Sequence, residues 1–276
     1  MTVWTFIELT IREAQRRKIL WVGLLMGLGF LTLFGLGFHY IMVEMEGNAG
    51  PVEARTIIGV LLTAGLYSVN ILVVLMAVLI SVTAVSGEID SHTIDALVTK
   101  PVRRWEIILG KWLGFAILLT VYIFLLAGGL MLIVYFRAGF LMENILAGLT
   151  MMILQSFVIL SITILGGTRL STLANGVLAF MLFGIAFLGG WIEQIGALFE
   201  NETAVNIGIV TSLIMPTEIL WKKAITLFQP QFATSAFLAG PFAVTSQPSD
   251  IMIGYAMCYL VILLLLALYS FSTRDL

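Results

Sequence analysis

The charged side chains of this chain crowd into one short stretch. Residues 88–111 hold Glu88, Asp90, Asp95, Lys100, Arg103, Arg104, Glu106 and Lys111, eight of the 14 basic and 16 acidic residues in the sequence. Acids come first and bases last. Asp90 or Ser91 can cap a short helix over roughly 91–99, and Pro101 stops it. Acids near the start and Lys100 past the end suit the helix dipole. Ile94, Leu97 and Val98 mark one face; His92, Asp95 and Thr99 mark the other. A short, charged, two-faced helix has the chemistry of a peg that docks on a soluble partner.

Bond-making chemistry has few candidates. The histidines are His39 and His92 alone, and neither falls mid-span. One cysteine, Cys258, excludes an intrachain disulfide, a four-cysteine zinc site and a cysteine-held iron–sulfur cluster. No H-E-x-x-H or G-x-S-x-G occurs. Gly110–Lys111 is followed by Trp112, so no phosphate-binding Walker loop forms. The sequence thus offers no catalytic, cofactor-binding or metal-ligating residue. Any active work draws its energy from a partner.

The elements that must hold the charged stretch are apolar. The chain has 276 residues, 60% hydrophobic and 11% charged. Soluble proteins are about 25% charged, so an ordinary soluble enzyme is excluded, as is a disordered chain. A helix crossing ~30 Å of hydrocarbon needs ~20 apolar residues. Stretches of that kind place spans at about 19–43, 57–86, 112–136, 144–168, 170–192 and 251–273. A β-barrel would alternate polar and apolar residues instead. The expected fold is a single all-α membrane domain over 1–276.

Orientation follows from Lys and Arg in short loops. With the N-terminus in the cytoplasm, ten of the 14 basic residues lie inside and nine of the 16 acidic residues outside. The expected arrangement is multi-pass with both termini cytoplasmic.

Residues 3–17 predict an amphipathic helix whose apolar face is Trp4, Ile7, Ile11 and Ala14, with Glu8 and Arg12 paired at i, i+4. It would lie in the interface and elbow into the first span. The long outer connection, 194–250, is not polar. Ala204–Met215 is too short to span, and Leu227–Ala243 is broken by Pro230, Gly240 and Pro241. Thr217–Phe228 reads as amphipathic, with Leu220, Ala224, Leu227 and Phe228 on one side. Glu218, Lys222 and Lys223 fall on the other, Glu218 and Lys222 as an i, i+4 pair. Re-entrant or interfacial pieces, or a surface cap, both fit 204–243. Within the spans, Asn70, Gln155 and Ser156 are candidates for a substrate path. Interhelical hydrogen bonding is the plainer use of such residues.

The stretch Ser86–Lys111 resembles the signature loop of the type 2 ABC exporter permeases, which carries a Glu, a Gly-Thr, a Leu, a Pro, an Arg and a Gly-Lys at similar spacings. Glu88, Thr93, Leu97, Pro101, Arg104, Gly110 and Lys111 match it; His92 stands where Gly is usual. The six spans, the elbow and the long outer loop before the last span look like the same family. The resemblance implies six transmembrane helices, an N-terminal amphipathic elbow helix and a cytoplasmic coupling helix over 88–104. It implies that Glu88, His92, Asp95, Leu97, Pro101, Arg103 and Arg104 contact a separate ABC ATPase subunit, present in two copies. ATP and magnesium would bind there. A second permease copy, identical or a close paralogue, would complete an exporter in the cell inner membrane. Nucleic acid is not an expected partner. The alternative is a non-transporting anchor subunit of a larger membrane complex.

Overall fold

The computed structural model describes residues 3–45, 50–87, 103–228, 244 and 248–274. Among these every regular element is helical. Helix α1 is Val3–Arg16, α2 Lys18–Met45 and α3 Pro51–Ser81. Helix α4 runs over Arg104–Ala138 with one π turn at Phe124–Gly128. Then come α5 (Ile145–Gly167), α6 (Thr172–Leu198), α7 (Glu202–Ile214), α8 (Thr217–Phe228) and α9 (Asp250–Ser272).

Among the described residues, six helices are long and apolar enough to cross a membrane: α2, α3, α4, α5, α6 and α9. The shortest has 23 residues, or about 35 Å at 1.5 Å per residue. The chain is a multi-pass membrane protein with the expected span count. The third span begins eight residues before the expected 112, at Arg104. A search for charge-free stretches stops at Lys111, whereas the helix continues through Lys111 and Glu106 because Ile107 and Ile108 are fully buried. Gly139, at φ +63°, closes α4 in the left-handed conformation.

The core lies between α3, α4, α5 and α8, filled by Leu62, Leu66, Ile107, Leu119, Ile123, Leu126 and Trp221. Helices α2 and α9 are peripheral and expose Leu25, Leu33, Val261 and Leu265, as a lipid-facing helix does. Close approaches use glycine, as helices do where lipid tails are as apolar as leucine. A Cβ at Gly148 of α5 would stand 2.2 Å from the Phe228 ring of α8.

Helix α1 forms as expected, with its Glu8–Arg12 pair. Its buried face differs. Phe6, Ile7, Thr10 and Ala14 are buried, while Trp4 is 70% exposed. The reason lies on α4: a Cβ at Gly110 would meet Phe6 Cβ at 2.3 Å, and one at Gly114 would meet Thr10 Cβ at 2.8 Å. Two glycines one turn apart make a groove for Phe6 and Thr10, and this outweighs the apolar rank of Trp4.

Helix α8 departs further. It is buried on nearly all sides, with Glu218 and Lys222 inside. The expected polar face therefore does not reach solvent except at Lys223, which pairs with the exposed Asp250 at 2.9 Å. Helices α7 and α8 meet at a 106° bend. Tyr255 and Tyr259 of α9 donate to the carbonyls of Leu213 and Ile214 at 2.5 and 2.9 Å, which satisfies the free end of α7. Residues 229–243, including Pro230, Gly240 and Pro241, lie outside the described residues.

Candidate functional site

Five of the expected partner-contact residues, Glu88, His92, Asp95, Leu97 and Pro101, lie outside the described residues. The stems on either side of them are fixed. On the leading stem, the Ala84 carbonyl accepts at 2.8 Å from Nζ of Lys111, which comes from α4 and is only 4% exposed. Arg17, which follows α1 and pairs with Glu13 of that helix, donates to Thr83 Oγ1. The Ser86 and Thr172 hydroxyls are 2.9 Å apart, tying the stem to the start of α6.

On the trailing stem, Arg103 is exposed and extended, and it forms the N-cap of α4. Arg104 donates to the Arg274 carbonyl at 2.6 Å, just past α9. Arg274 in turn donates to the Thr168 carbonyl at the end of α5. Arg169 Nε donates to Ser270 Oγ at 3.0 Å. Cations thus sit on carbonyls left over at helix C-termini, where the dipole favours them. Both stems of the 88–102 segment are anchored to the bundle and, through Arg17 and Gly110, to α1.

The pair Gly110–Lys111 therefore has two separate duties. Gly110 lets α1 approach, and Lys111 closes the stem at Ala84. Sequence spacing marks the pair without explaining it, since Lys111 must first be seen to turn inward.

The three candidates for a substrate path are all buried: Asn70 at 2%, Gln155 at 1% and Ser156 at 0% exposure. Ser156 Oγ donates to the Ile153 carbonyl within its own helix, at 2.7 Å. Asn70 Oδ1 and both polar atoms of Gln155 have no hydrogen-bond partner among the described residues. Interhelical bonds are made by other side chains. Ser81 and Thr163 hydroxyls are 2.6 Å apart, Asn175 Nδ2 donates to the Thr163 carbonyl at 2.8 Å, and Trp112 Nε1 donates to Ser161 Oγ at 2.9 Å.

A third polar region was not anticipated. Glu193 near the end of α6 and Lys222 of α8 form a buried ion pair at 2.9 Å. Glu218, one turn before Lys222, is buried beside them. The expected Glu218–Lys222 pairing gives way because α6 brings Glu193 within reach of Lys222. Only the i, i+4 spacing was visible in the sequence; α6 packing was not.

A family model described as ABC-2 family transporter protein matches residues 7–276. The match covers nearly the whole chain, and the chain belongs to that family. It is a membrane permease subunit of an ABC transporter. No curated protein matches it.

Proposed function

We propose that this chain forms the translocation path of an ATP-driven exporter and is moved by a separate ATPase subunit docked on residues 88–104. Two ATPase copies and a second permease, identical or paralogous, complete the machine. ATP and magnesium bind in the ATPase, and this chain makes no bonds itself. Both termini and the 88–104 segment lie on the cytoplasmic side of the inner membrane, as the basic residues direct.

One observation carries the reading most: the two stems of the docking segment are tied, by Lys111 to Ala84 and by Arg104 to Arg274, into different helices of one bundle. A peg held at both ends passes a push on its tip to α3, α4 and α9 together. A segment serving only as a positive loop has no need of a buried lysine at its base. Coexpression of the tagged chain with its cognate ATPase tests the proposal. The expected result is a stable complex whose ATP hydrolysis responds to cargo. An intact, membrane-inserted chain that recovers no ATPase favours the anchor reading.

A further inference from the structure

A groove of about 350 Å³ lies beside the first turns of α2, within the ~300–1,000 Å³ range of small-molecule sites. Helix α2 lines it from Lys18 to Met26 and α3 from Leu79 back to Leu72, with Tyr122 of α4 completing the wall. Lys18 is the first residue of α2 and so stands at one end of the groove. Met26 lies deeper, about 12 Å further along the helix at 1.5 Å per residue. Val22 of α2 and Leu79 of α3 are exposed, so the groove is open on the side that faces lipid.

Below Lys18 the walls are apolar. Tyr122 is the one other lining residue with a polar side chain, and its hydroxyl donates to the Gly23 carbonyl at 3.0 Å. A Cβ at Gly23 would stand 2.5 Å from Met76 Sδ, so glycine there seats Met76 against α2. The charge at the mouth is unanswered. Arg12 pairs with Glu8 and Arg17 with Glu13. The exposed Arg16 and Lys18 have no acidic partner among the described residues.

We propose that this groove holds an acyl chain of an anionic phospholipid whose phosphate rests on Lys18. A cation at one end and an apolar slot beneath it match an anionic amphiphile. A small soluble anion would find no second donor below Lys18, and a lipid without net charge would leave the ammonium unanswered. Basic residues where a helix enters the membrane attract anionic headgroups. The lysine stem can lie along the groove while its ammonium reaches headgroup level. A seated chain fills the gap between α2 and α3 and steadies the peripheral α2 against the bundle. The site belongs to this chain alone and stands whether or not an ATPase is recovered with it.

The test uses the full chain in phosphatidylcholine vesicles carrying a minority of phosphatidylglycerol with a photoreactive diazirine on its acyl chain. Mass spectrometry locates the label. It is expected on the groove side chains of α2 and α3, well above its level on Val261 and Leu265, which are exposed on α9. Unlabelled phosphatidylglycerol should displace it from the native chain, and the same amount of phosphatidylethanolamine should not. Lys18→Gln should weaken groove labelling about fivefold, the worth of one cation near an anionic surface, and Lys18→Arg should retain it. Val22→Trp fills the groove from its open side and should reduce the label there to the α9 level with the charge left in place. Size-exclusion profiles check that the variants fold. Label spread evenly over α2, α3 and α9 means general lipid contact and overturns the site. Equal displacement by phosphatidylethanolamine, or undiminished labelling in Lys18→Gln or Val22→Trp, overturns it as well. Val22→Cys in a Cys258→Ser background tests the other occupant: cross-linking to a second chain gives the groove to another copy and removes the lipid.

Discussion

Lys222 Nζ stands 2.9 Å from Glu193 Oε2, with both side chains withdrawn from solvent, and so clamps α8 to the end of α6. Breaking a buried ion pair by removing one partner costs ~3–5 kcal/mol, whereas replacing both by apolar groups is often neutral. Lys222→Met should therefore lower the thermal midpoint sharply, because Glu193 and Glu218 are then left together without a cation. Glu193→Gln combined with Lys222→Met should recover most of the loss. Thermal unfolding in detergent, followed by tryptophan fluorescence, reads the whole double-mutant cycle.

Gly110 and Lys111 are neighbours in sequence but face different helices, so their variants should separate. Gly110→Val forces bulk into Phe6 of α1 and should cost ~1–3 kcal/mol by overpacking. It should also loosen α1, seen as faster proteolysis near Arg12 and Arg16. Lys111→Met leaves the Ala84 carbonyl buried without its donor, at a cost of ~1–3 kcal/mol. Here α1 should stay protected while cleavage within 88–102 accelerates. Identical proteolysis patterns for the two variants would contradict the division of duties.

Gln155 presents both ends of its amide to a buried space without partners among the described residues. A buried amide in that state loses its hydration without replacement. Gln155→Leu should therefore leave the thermal midpoint unchanged or raise it. A drop comparable to a core cavity would show that the amide has a partner after all.

The spans were legible because lipid admits only closed barrels, whose alternation is missing here, and long apolar helices. Glu218 shows where such reading stops. Periodicity alone placed it on the polar side of an amphipathic helix with Lys222 and Lys223. Burial of that face depends on Gly190 making room and on Glu193 arriving from α6, neither of which has a signal within 217–228. Trp4 repeats the lesson at the other end, since two glycines on α4 decide which stripe of α1 turns in. The Gly-Lys of the signature was visible, but the target of Lys111, a carbonyl 27 residues earlier in the chain, was not.

Topology is open to a direct check. Lys222 is buried, so a reporter for the expected outer side belongs at the exposed Glu200, and one for the expected inner side at the exposed Arg12. Cys258 is exposed and must first become serine. Glu200→Cys should react with an impermeant maleimide added to intact cells, and Arg12→Cys only after the membrane is opened. The reverse pattern would invert the orientation.

The docking segment offers the last and sharpest expectation. Its stems are fixed by groups that do not belong to the segment: Lys111, Arg17, Thr172 and Arg274. A change at its tip should therefore leave the six-span bundle alone. Glu88→Ala removes an acid beside the leading stem, and Leu97→Asp puts a charge on the apolar face of the expected 91–99 helix. Truncating one partner of a buried charge pair at an interface costs ~2–5 kcal/mol, enough to release an ATPase bound with micromolar affinity. Both variants should insert and unfold like the native chain, yet either lose the ATPase on size-exclusion or retain it with ATP hydrolysis that no longer responds to cargo. Arg104→Gln should behave differently. It frees the Arg274 carbonyl at the end of α9, so thermal stability should fall by ~1–2 kcal/mol along with coupling. If Leu97→Asp keeps full assembly and full cargo-dependent hydrolysis, the partner docks elsewhere on the chain.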